Sequence, residues 1–299
     1  MKFKTQNKLK IKNSKQKFCN LVVLILTFVF CHLTLNIRMC FSENHRPRYI
    51  SLAPSTTEIL FALGLDEEIV GVSQFCNYPL QALTKEKVGS FSQPNIEKIL
   101  SLKPDIIFCT GLEQAPSFRE LKRLNLKVYV SDPSNIKELL SSIRDIASLT
   151  GKEKEGGILV NKMNDSIEEI ISKVKSIPQG KRHKVFIEIW YDPLMTVGEG
   201  SFIDDLITLA GGINIASDTK RPYSYFSPEQ VIKRNPDCII LTYMDKSNPA
   251  EIIEKRLGWK EISAVKENRI YNDIDPDLLL RPGPRIVEGL EEIHRRLYP

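Results

Sequence analysis

The apolar positions of this chain follow a pattern that is written twice. RYISLAPS (48–55) reads as a strand running into a turn. Ser55-Thr56-Thr57-Glu58 then reads as a capping box, and Ile59, Leu60 and Leu63 take helical spacing before Gly64. EIVGVS (68–73) predicts a short strand. Asn95 stands as an N-cap before the helix IEKILSLK, and Pro104 precedes the strand DIIFCT. ELKRLN and KVYVSD follow as helix and strand, and 135–151 as an amphipathic helix. Strands alternating with helices predict a mostly parallel sheet flanked by helices.

Residues 152–178 break the rhythm. Ile158, Met163, Ile167, Ile170, Ile171 and Val174 recur at helical intervals with no strand signal, and Pro178-Gln179-Gly180 stops them. One long helix, with a start near Gly157, is the expectation. The scheme then restarts with the strand KVFIEIW (184–190), a helix after Ser201, and a capped helix start at Ser227-Pro228-Glu229-Gln230. Pro236, the strand DCIILT and a final helix over 285–298 complete it. SQPNIEKILSLKPDIIF (92–108) is echoed by FSPEQVIKRNPDCIIL (226–241) at an offset of 132, which pairs Glu97 with Glu229, Pro104-Asp105 with Pro236-Asp237, and Ile107 with Ile239. A repeat this long predicts two similar α/β lobes joined by one long helix. The expected divisions are 43–151 for the N-terminal lobe, 152–178 for the connecting helix and 179–299 for the C-terminal lobe.

Charge changes the reading of residues 1–42 only. The chain of 299 residues has a formal charge of +5, but the first 42 hold eight Lys/Arg and no acid. The rest carries 34 basic and 37 acidic residues, a net charge of −3, which gives no support to a nucleic-acid-binding surface. The lysines precede LVVLILTFVFC (21–31), an apolar run of 11 residues that suits the core of an export signal. Cys40-Phe41-Ser42 offers a small-x-small cleavage site, and Arg38-Met39 is a poor approach for lipid modification of Cys40. An uncleaved anchor lengthened by Leu33, Leu35 and Ile37 is the alternative. Either places the body in the periplasm or otherwise outside the cytoplasmic membrane.

The candidate chemistry is that of a binder. No nucleophile elbow, phosphate loop or His-Glu-x-x-His motif occurs, and the histidines of the body (His45, His183, His294) are scattered. Cys76, Cys109 and Cys238 are odd in number and widely spaced, so they predict no disulfide framework, and the last two read as core. What remains is aromatic: Phe75, Tyr78 and Phe91 in the first half, and Trp190, Tyr191, Tyr223 and Tyr225 in the second. One flat ring from each lobe would clamp a large, partly apolar ligand; burial in the core is the alternative for each ring. Asp277 and Arg281, in a stiff proline-rich loop, could bond amide or phosphate groups of a ligand or pair with each other. Trp259 reads as core.

Over about 48–298 these residues resemble the vitamin B12 (cobalamin)-binding periplasmic proteins of ABC importers, whose two lobes are joined by a rigid helix. The resemblance rests on ISLAPSTTEILFALG, VGVSQFCNYP, VGSFSQPNIEKILSLKPDII, DPLMTVGEGSFIDDLITLAGGINIA, FSPEQVIKRNPDCIIL and DPDLLLRPGPRIVEGLEEI. Ferric-siderophore and haem receptors share the first and fifth of these, so they are the rival reading. The resemblance implies a monomeric, non-enzymatic binding protein with no cofactor, holding cobalamin or a related corrinoid between its lobes. Phe75 and Phe91 would line the N-lobe side; Tyr223, Asp277 and Arg281 would line the C-lobe side, with Trp190 near the mouth. Glu97 and Glu229 would each meet arginines on the dimeric permease. A helix-start acid is stabilised by about 0.3–1 kcal/mol in any protein, which explains an acid at either site but not the shared register. The chain departs from the family where relatives carry Tyr or Trp in place of Phe75, Phe91 and Tyr223. It also lacks a C-lobe disulfide seen in some relatives, Ala210 replacing one partner.

Overall fold

The computed structural model describes residues 46–90, 92–111, 115–243 and 249–299. The expected leader and Phe91 therefore lie outside the described residues. No helix among the described residues is long and apolar enough to cross a membrane.

The first half builds β1 (Tyr49–Ser51), α1 (Pro54–Ala62), β2 (Ile69–Val72), α2 (Ile96–Ser101), β3 (Ile106–Cys109), α3 (Ala115–Arg123) and β4 (Val128–Val130). Its four strands pair in parallel in the order β2-β1-β3-β4. Helix α4 (Ile136–Thr150) ends at Gly151, whose positive φ of 68° suits a residue without a Cβ. Helix α5 (Glu153–Lys175) follows at once. It starts four residues before the expected Gly157, and its first turns pack closely on α4: a Cβ on Gly156 would stand 2.4 Å from that of Ala147. Its buried face runs through Val160, Met163, Ile167, Ile170 and Val174, while Ile158 faces solvent, contrary to expectation.

The second half contains β5 (Lys184–Tyr191), β6 (Leu194–Val197), α6 (Phe202–Leu209), β7 (Ile213–Asn214), β8 (Tyr223–Tyr225), α7 (Pro228–Arg234) and β9 (Cys238–Leu241). It closes with α8 (Pro249–Lys255), α9 (Ser263–Lys266), β10 (Ile270–Tyr271), α10 (Asp277–Leu280) and α11 (Ile286–Leu297). The sheet order is β10-β9-β5-β6-β8, with β7 beside β5. β5, β7, β9 and β10 pair in parallel, but β6 and β8 add an antiparallel ribbon that the sequence pattern did not predict.

The central strands β1, β3 and β9 are buried along their whole length, and strand alternation sorts the layers. Ile107 packs with Ile99 of α2 on the outer face of its sheet, as Ile239 does with Val231 of α7. The inner faces share a single core that runs from Leu60 and Ile143 through Val160 and Ile167 of the long helix to Leu206 and Leu290. The buried thiols of Cys109 and Cys238 are pushed up to about 12 by desolvation, as suits inert core groups. Trp259 is likewise fully buried.

The repeat has a structural cause at Pro-Asp. The Asp105 carboxylate accepts the Arg48 amide at 2.7 Å, and that of Asp237 accepts the Lys184 amide at 2.8 Å, so each locks a strand to its neighbour. Lys103 and Asn235, at equivalent positions, both take φ of 46°. The two caps diverge. Asn95 accepts the Lys98 amide as expected, whereas the Ser227 hydroxyl, beside a proline at N1, bonds the Glu229 carboxylate instead. The expected capping box of α1 does not form either. The helix begins at Pro54, the hydroxyls of Thr56 and Thr57 turn to the Ala53 carbonyl, and Glu58 points into the interior.

Candidate functional site

The carboxyl ends of parallel strands are where side chains from different strands converge on a crevice. Phase by phase, the sequence puts its aromatic residues there. Phe75 follows β2 and is 44% exposed; Trp190 and Tyr191 end β5; Tyr243 follows β9.

A bulge in β5 decides where Trp190 points. Glu188 pairs with Thr196 of β6, and Trp190 with Met195, so two steps on β5 match one on β6. Met195 pairs in turn with Tyr225, and Val197 with Tyr223. Paired residues share a face, and so do residues two apart. Trp190, Met195, Tyr223 and Tyr225 therefore lie on one face of the ribbon, and Glu188 on the other. The three rings are 47%, 43% and 71% exposed, an apolar surface that lies outside the core. Trp190 is braced by Tyr191, stacked at 5.5 Å between ring centres, and its indole N–H donates to the Asp192 carbonyl at 2.8 Å.

A polar group forms around Arg281. Its Nε bonds the Asp277 carboxylate at 2.9 Å, and its Nη1 reaches Asn77, two residues from Phe75, at 2.5 Å. Asp277 and Arg281 do pair, then, and the arginine also crosses to the first lobe. Behind them Arg285 makes a two-point bond to the buried Glu58 carboxylate at 2.7 and 2.9 Å, while its guanidinium lies 3.8 Å from the Tyr78 ring centre. Burial pushes the Glu58 carboxyl above its ordinary range, with Arg285 and Arg281 pulling the other way. A cavity of about 430 Å³ opens beside this pair, lined by Phe61, Tyr78, Pro79 and Pro284 among others.

The sequence reading missed Glu58, Arg285, Met195, Glu188 and Tyr243. A glutamate inside the apolar run VFIEIW was the available signal for Glu188. Glu97 and Glu229 join neither group. Each stands exposed in the first turn of its helix, α2 and α7. The Ser227 hydroxyl holds the Glu229 carboxyl below its usual range.

Residues 50–277 match the family model described as periplasmic binding protein. An uncharacterized ABC transporter substrate-binding lipoprotein, YvrC of Bacillus subtilis, is 37% identical over 257 residues, covering 84% of this chain and 80% of its own. A crystal structure of a possible iron-binding (periplasmic solute-binding) protein from Staphylococcus epidermidis is 35% identical with a TM-score of 0.74, covering 84% of this chain and 98% of the other. That of the periplasmic vitamin B12 binding protein BtuF of Vibrio cholerae is 30% identical with a TM-score of 0.73, covering 84% and 96%.

Proposed function

This chain belongs to the periplasmic binding protein family, a family of binding proteins, and from that premise we propose that it is the substrate-binding protein of an ABC importer. Its ligand in this reading is cobalamin or a related corrinoid, held between the lobes. The observation that carries the reading is the aromatic face of Trp190, Met195, Tyr223 and Tyr225. A corrin is a broad ring with apolar faces and a fringe of amides; exposed rings suit the faces, and the Asp277–Arg281 pair suits the fringe. Phe75, two residues before the Asn77 that Arg281 reaches, is the N-lobe ring assigned to the ligand in this proposal.

Exposed acids in equivalent first turns of α2 and α7 supply two anchor points for a two-fold symmetric permease. In this reading the Glu97→Ala, Glu229→Ala double variant keeps its ligand affinity and loses transporter binding. Unchanged transporter binding would return both residues to helix-start acids. The rival reading, a ferric siderophore or haem, draws on the similarity to the protein described as a possible iron-binding one. Equilibrium dialysis of the purified protein against cyanocobalamin, a ferric siderophore and haemin in parallel separates the two. Retention of a ferric ligand without cobalamin selects the rival.

A further inference from the structure

Glu188 is a carboxylate with no exposure, set in the middle of β5. Arg256, which follows α8, donates to both of its oxygens, at 2.6 and 2.7 Å. The Tyr243 hydroxyl donates to Oε1, and the Glu188 carbonyl accepts the Thr242 amide at 3.1 Å. Arg256 in turn lies 4.5 Å from the Trp259 ring centre and reaches the Tyr191 carbonyl at 3.4 Å. One buried carboxylate thus gathers three segments that are distant in the chain: β5, the residues after β9, and the residues after α8.

Stability alone does not call for such a cluster, because well-packed apolar residues in place of a buried ion pair are often as stable or more so. What a satisfied buried network adds is a defined geometry. Here that geometry is passed outward. The Tyr243 ring meets Tyr191 edge-on at 5.8 Å and 72°, and Tyr191 stacks on Trp190. The bulge puts Glu188 and Trp190 on opposite faces of the ribbon, so the carboxylate acts from behind the aromatic face without reaching it.

We infer that Glu188, through Tyr243 and Arg256, is the positioning residue of the aromatic face, fixing Tyr191 and Trp190 in the orientation that receives the ligand. The inference rests on that face being the ligand wall.

Its test has a ligand-free arm and a binding arm. The chain has two tryptophans, one half-exposed (Trp190) and one buried (Trp259), so acrylamide quenching of the unliganded protein reports Trp190. Tyr243→Phe removes a single hydroxyl and leaves the Glu188–Arg256 pair in place; Glu188→Gln keeps the side-chain volume. Both variants raise the quenching constant by about twofold as the brace loosens. In the binding arm Tyr243→Phe weakens cyanocobalamin about 5- to 10-fold, and this loss disappears in a Trp190→Ala background because the two act in series. A residue that merely stabilises the fold gives equal losses in both backgrounds. Equal losses, or quenching unchanged in both variants, overturn the positioning role. If the wild type takes up no cobalamin, the corrinoid reading falls, and the quenching result alone upholds or overturns the role of Glu188.

Discussion

At the scale of single residues, equivalent positions in the two halves have kept one function and divided another. Asp105 and Asp237 do the same work, receiving an amide at the start of the neighbouring strand. Asn95 and Ser227 do not: the asparagine caps its helix, and the serine serves Glu229. Removing that hydroxyl by Ser227→Ala raises the Glu229 pKa toward the ordinary glutamate value, as a carboxyl 13C NMR titration would record. The sign is fixed by linkage. A depressed folded-state pKa means that the carboxylate's contribution is present above the unfolded pKa and is lost as pH falls through the folded one. The register of the Pro-Asp echo was legible in the sequence. Its cause was not, since the amides that Asp105 and Asp237 receive lie 57 and 53 residues away. Glu58 misled for a related reason: Ser55 to Glu58 spells a cap, but a partly buried arginine 227 residues away competes for the carboxylate.

Among elements, the long helix α5 shows what a glycine can and cannot be replaced by. Gly156 sits against Ala147 of α4, and Gly157 has open space around its missing Cβ. Gly156→Ala forces the helices apart and costs about 1–3 kcal/mol. Gly157→Ala stabilises by about 0.5–1 kcal/mol through helix propensity. Urea unfolding of the two single variants reads both signs. Parallel strands and helices were legible because burial on both faces writes continuous apolar runs such as IIFC and CIIL. The ribbon of β6 and β8 was not. Its strands are short, Thr196 and Ser224 interrupt the apolar pattern, and Thr196 is buried with its hydroxyl on the Ile187 carbonyl at 2.6 Å. The bulge at Glu188–Trp190 exists only in the pairing of two strands, so no single-strand pattern announces it. The candidate rings were therefore legible as a list, but their common face was not.

For the whole molecule, residues 48–299 form one compact unit, and the inner faces of the two lobes share a core along α5. Among the described residues, polar ties that cross between the halves include Glu58 to Arg285, Arg281 to Asn77, and the Asp205 carboxylate, which accepts the Ile136 amide at the start of α4 at 2.8 Å. Glu58→Ala leaves the Arg285 guanidinium without its partner in a largely buried site and costs about 3–5 kcal/mol, measurable as a lowered midpoint in urea. Lobes tied in this way favour a cleft that is already shaped when the ligand arrives, and with it a ligand that meets a standing aromatic wall. The direct test is a calorimetric titration of the purified protein with cyanocobalamin, repeated with Trp190→Ala. The account predicts a saturable one-to-one complex that weakens at least about tenfold when the indole is removed. Absence of a complex, or a complex indifferent to Trp190, would contradict it.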